Sequence, residues 1–148
     1  MNRQLTLFSL SSAALLFSAN VLAAPPKYAI KDNSAEALIS ADAAKAIWMA
    51  ALPAKVAKQY SVKKYGYISE VNGGFDANKN CVVVARAMMV PLGTKLLPGG
   101  NATFIYAPQK TSVTFATEAN DTAEKCSTLA KAKLKEAVES VASSLTAN

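Results

Sequence analysis

Histidine is missing altogether from this chain of 148 residues, and cysteine and arginine occur only twice each. Without an imidazole the protein lacks the side chain that titrates nearest neutral pH, and with it the commonest general base and metal ligand. Cys81 and Cys126 stand too far apart for Cys-x-x-Cys spacing, so neither a dithiol redox centre nor a zinc site has its ligands. The ten Asp and Glu residues show no local clustering in apolar sequence that would raise one carboxyl for glycosidase chemistry. Six glycines and six prolines are too few for collagen-like or linker sequence. What is abundant is apolar: 51% hydrophobic against 18% charged, which excludes a disordered chain and fits one globular domain. No catalysis, cofactor or metal is expected.

The first residues set the compartment. Arg3 is followed by LTLFSLSSAALLFSANVL, uncharged from Leu5 to Leu22, and then by Ala23 and Ala24. This is the pattern of a secretory leader. Ser, Thr and Asn dilute the run and no basic cluster follows it, so no transmembrane span is expected after processing. Cleavage is placed after Ala23, giving a leader over 1–23 and one mature domain over 24–148. A bacterial leader of this kind sends the protein to the periplasm or out of the cell. There an isolated pair of thiols is oxidised, so Cys81 and Cys126 are expected to form a disulfide. Closing so long a loop stabilises by about 4 kcal/mol in the chain-entropy treatment.

Lysine dominates the basic residues, and Arg86 is the only arginine beyond Arg3. This argues against sequence-specific nucleic-acid recognition, which relies on the planar fork of arginine. The lysines are spread along the chain, consistent with solubility or with attraction to an acidic partner.

Ser34 is the expected N-cap of a helix from Ala35 to Leu52, apolar on more than one face, with Pro53 ending it or opening a new turn to Tyr60. The period then shifts to two in Tyr65–Val71. A polar loop, Asn72 to Asn80, separates that strand from Cys81–Val90, making a hairpin. Thr103–Ala107 and Thr111–Thr117 are expected to form a second hairpin around Pro108, with Val113 and Phe115 alternating against Ser112, Thr114 and Ala116. Tyr28 with Ile30 can add a short edge strand. The capping-box pattern from Asp121 to Glu124 opens a final helix to Thr146, whose buried stripe is Ala123, Cys126, Ala130, Leu134, Ala137, Val138, Val141 and Leu145. Alternation puts Cys81, Val83, Ala85, Ala87 and Met89 on the face that the disulfide joins to this helix; Val82, Val84, Arg86, Met88 and Val90 take the other.

Two motifs fail on inspection. Asp76, Asn78 and Asn80 match the opening of a calcium loop, but its sixth position is Cys81 rather than Gly and its twelfth is Ala87 rather than Glu. Ser61-Val62-Lys63-Lys64 has the Ser-x-x-Lys spacing without its companion motifs. Asn101 and Asn120 head glycosylation sequons that a bacterial leader makes irrelevant. Arg86, in the most apolar strand, either lays its stem on apolar surface at a solvent-facing position or anchors an acidic group, with Val84 and Met88 beside it.

The expected architecture is α+β: an antiparallel sheet of four or five strands, an N-terminal and a C-terminal helix, and one disulfide. The expected function is that of a small exported binding protein without catalysis, acting on another envelope protein as an inhibitor or immunity protein does. The alternative is a carrier of a small amphipathic anion held by Arg86.

Overall fold

The computed structural model describes residues 28–93, 95–96, 102–103, 107–119 and 122–147. The leader over 1–23, its cleavage point, Asp121 and the two sequon asparagines lie outside the described residues. Along the chain run β1 (Ala29–Asp32), α1 (Ala41–Ala51), α2 (Ala54–Gln59), β2 (Tyr65–Phe75), β3 (Cys81–Pro91), β4 (Lys95–Leu96), β5 (Ala102–Thr103), β6 (Lys110–Glu118) and α3 (Ala123–Thr146). The fold is α+β, with a four-stranded sheet in the order β1-β2-β3-β6 and a separate two-residue ladder between β4 and β5. The sheet is mixed rather than wholly antiparallel. β1 runs parallel to β2, because the chain crosses through α1 and α2 before it returns.

The first helix starts later than Ser34 predicts, and the reason is tertiary. The Ser34 hydroxyl donates to the Asp32 carboxylate at 2.6 Å and accepts the Val71 N–H at 2.9 Å. The N–H groups of Asn33 and Ala35 donate to the carbonyls of Ser69 and Val71, both at 2.8 Å. With these groups committed to β2, the helix begins only at Ala41, where Ser40 is the N-cap and accepts the Ala43 N–H. Pro53 ends α1 and serves as N-cap of α2. α1 packs beside α3 and against β1, burying Ala44 and Trp48. The Trp48 ring lies 5.2 Å from that of Tyr67, which Tyr28 meets edge-on at 5.7 Å.

β2 extends past the expected loop to Phe75, with Asn72, Gly73 and Gly74 inside it. Gly73 is required there: its φ is +143°, and a Cβ would fall 1.9 Å from the Val82 carbonyl oxygen. The connection is thus only Asp76 to Asn80. The Asp76 carboxylate accepts N–H bonds from Asn80 and Asn78, both at 2.8 Å, and a third bond from the Asn80 side chain at 2.9 Å. These bonds hold the Asp76 carboxyl below its ordinary pKa, the Asn80 contacts first. The carboxylate that looked like a calcium ligand instead organises the turn.

Of the expected second hairpin, Thr111–Thr117 is described as part of β6 and Thr103 as part of β5. β6 pairs antiparallel with β3 from Cys81 opposite Glu118 to Met89 opposite Lys110, while Thr103 pairs with Lys95. Residues 104–106, most of the other expected strand, lie outside the described residues. α3 then crosses β3 and β6. Thr122, not Asp121, is its N-cap, accepting the Lys125 N–H. Its buried stripe is the predicted one with two differences: Ala123 is exposed at the first turn, and Ala142 is buried. Cys126 is bonded to Cys81, and both are buried.

Candidate functional site

The sheet has two unlike faces. α1 and α3 cover one, which takes Tyr67, Ser69 and Val71 from β2 and Cys81, Val83, Ala85, Ala87 and Met89 from β3, all buried. The other face carries no helix among the described residues. On that side β3 places Val84, Arg86, Met88 and Val90, as its alternation predicts; Val84 is exposed, while Met88 and Val90 are buried.

Register completes this open face. Arg86 is directly opposite Glu70 of β2 on one side and Val113 of β6 on the other; Val84 is opposite Phe115, and Met88 opposite Ile68. Phe115 is 62% exposed and Val113 59%, while Val84 is 39% exposed. The alternation expected in β6 is present, but its sense inverts hydropathy. Ser112, Thr114 and Ala116 turn toward the helices, and the two large apolar side chains turn to solvent. Thr114 is accommodated because its hydroxyl donates to the Lys133 carbonyl of α3 at 2.8 Å.

Toward β1 the open face sinks into a groove of about 540 Å³, lined by Gly66, Ile68, Glu70, Arg86, Met88 and Val90, with Lys31 and Leu92 at its margins. Gly66 leaves space for the Leu92 side chain, since a Cβ there would stand 3.2 Å from Leu92 Cδ2. Arg86 Nη1 is 3.7 Å from Glu70 Oε2, an ion pair longer than a hydrogen bond, and the guanidinium side chain remains 41% exposed. Its five N–H donors are therefore far from saturated by Glu70. A cation held over apolar floor suits an acidic group with apolar neighbours.

Sequence reasoning placed Arg86, Val84 and Met88 on one face, and the structure brings them together there. It missed Glu70, Ile68, Val113 and Phe115, because their nearness to Arg86 depends on strand pairing that no local period reveals. Ser61-Val62-Lys63-Lys64 lies in a turn, with Ser61 Oγ accepting the Lys63 N–H at 3.3 Å. Among the described residues no three His, Cys, Asp or Glu side chains converge as metal ligands, and no helix is long and apolar enough to cross a membrane. Compared with known proteins, the chain matches no family model and no curated protein.

Proposed function

We propose that the mature protein is a non-catalytic binding protein of the periplasm or extracellular space, whose open sheet face docks on another envelope protein in the manner of an inhibitor or immunity protein. The observation that carries this reading is the breadth of apolar exposure: Phe115 and Val113 stand beside Val84 and Arg86, outside the groove. Exposed large side chains in contact are a mark of interaction surfaces, whereas scattered ones are not. A small ligand would need only the groove. Arg86 at the centre gives the partner's matching surface its chemistry, an acidic side chain set among apolar ones. The apolar leader and the oxidised Cys81–Cys126 pair support an exported location.

A photoreactive residue at Phe115, irradiated in intact cells, is expected to give one discrete adduct with a protein other than this chain, and Arg86→Ala is expected to abolish it. The same label at Lys131, on the exposed side of α3, is expected to give none. Equal labelling at both positions, or none at Phe115, overturns the proposal. The second reading, a carrier of an amphipathic anion, rests on the groove volume, which falls in the range of small-molecule sites. Native mass spectrometry separates the two: a co-purifying mass lost on Arg86→Ala supports the carrier, and the bare apo mass supports docking.

A further inference from the structure

The two edges of the sheet are not alike. β1, at one end, has four residues and carries Lys31 and Asp32. Shortness and charge are the usual protections of an exposed strand, whose unpaired amides and carbonyls otherwise invite another chain. β6, at the other end, has nine residues, KTSVTFATE, and lacks those protections. From Thr111 to Thr117 it contains no charge and no proline, and it follows β3 residue for residue with no bulge. Its only charges are at the ends and are of opposite sign, Lys110 and Glu118. Neither joins an ion pair among the described residues, and across β3 they face Met89 and Cys81, which cannot partner them.

This pattern is self-complementary. A second β6 laid antiparallel along the edge, with the two-fold axis at Thr114, pairs all nine positions. Lys110 then stands opposite the second copy's Glu118 at both ends of the ladder. Val113 meets Phe115 on the open face, Thr111 meets Thr117, and Ser112 meets Ala116 on the covered face. Each pair joins residues on the same side of the sheet, as antiparallel pairing requires. Aromatic with β-branched and acid with base are both favourable cross-strand combinations. A slip of two residues in either direction loses both ion pairs. We propose that the protein forms a homodimer through β6, joining two four-stranded sheets into one continuous sheet whose open faces lie side by side. The contact is isologous, so it closes after two copies. This inference does not depend on what the open face binds.

Sedimentation equilibrium of the oxidised mature chain tests it. The wild type is expected to dimerise, and Lys110→Glu and Glu118→Lys, each placing like charges opposite at both ends, are expected to weaken the dimer by about tenfold. The double variant K110E/E118K restores opposite charges and is expected to return to the wild-type dissociation constant. A wild-type monomer at about 100 μM overturns the proposal, as does a dimer indifferent to both single reversals. Should a reversal disturb folding, Thr114→Cys decides: a disulfide-linked dimer across the axis supports this register, and failure to cross-link under mild oxidation overturns it.

Discussion

Apart from Arg86, β3 is apolar on both its sides, yet the protein treats those sides differently. Toward α3 its side chains are small or regular (Val83, Ala85, Ala87) and fully buried, and a sulfur bridge pins their end to the helix. On the opposite side it holds an exposed Val84 beside a charged, partly exposed Arg86, with Met88 and Val90 buried farther along. β6 sharpens the contrast by turning Ser112 and Thr114 inward and its large apolar residues outward. Simple burial of hydrophobic surface would have put Phe115 under α3. Instead it stands in water, while Thr114 occupies the covered side with its hydroxyl bonded to the Lys133 carbonyl.

The largest break in this comparison comes from the disulfide. Cys126→Ser is expected to lower unfolding stability by about 4 kcal/mol, the entropy of the long loop between positions 45 apart, as measured by denaturant midpoint with and without reductant. Next come matched truncations on the two faces. Leu134→Ala, beneath the helix, is expected to cost about 3 kcal/mol through transfer and cavity terms. Phe115→Ser, on the open face, is expected to change stability by about 0.5 kcal/mol or less. Equal costs at the two positions would erase the distinction between the faces.

Titration sharpens the comparison at smaller scale. Burial, then the neighbouring Tyr28 and Tyr60, pushes the Tyr67 phenol far above its ordinary range. A group whose pKa is raised by folding contributes stability that is whole below the unfolded value near 10 and is lost as pH climbs through the folded one. Alkaline loss of stability is therefore expected above about pH 10. Tyr67→Phe is expected to reduce that loss, Tyr28 retaining its own share, and to raise neutral stability by about 1 kcal/mol, since the Tyr67 hydroxyl is buried without a hydrogen-bond partner among the described residues. The smallest effect lies at the exposed Asp76 turn. Its carboxyl has a lowered folded pKa, so its ordering of the turn is present above the ordinary Asp range and lost as pH falls through the folded value. NMR amide shifts of Asn78 and Asn80 are expected to titrate together, with a midpoint below about 3.9.

The parts of the molecule legible in the sequence were those governed by local period. Alternation in β3 gave both of its faces, and the helical stripe of α3 gave Cys126 its place opposite Cys81. Pro53 was read correctly because a missing N–H acts where it stands. The misplaced elements answer to distant partners. Ser34 looks like an N-cap until Val71, 37 residues away, donates to its hydroxyl. Thr111–Thr117 looks like half of a local hairpin, but the ladder it makes is with β3, more than twenty residues earlier. For the same reason Val84, Arg86 and Met88 could be grouped from one strand, while Phe115 and Glu70 joined them only through pairing.

The bridge between the start of β3 and the first turns of α3 also decides what happens to a damaged molecule. A protease that severs the backbone once anywhere between those two sulfurs leaves two fragments still covalently joined, free to re-register along the β3–β6 ladder without having to find each other in solution. Such a molecule survives a nick that would dismember an unbridged one.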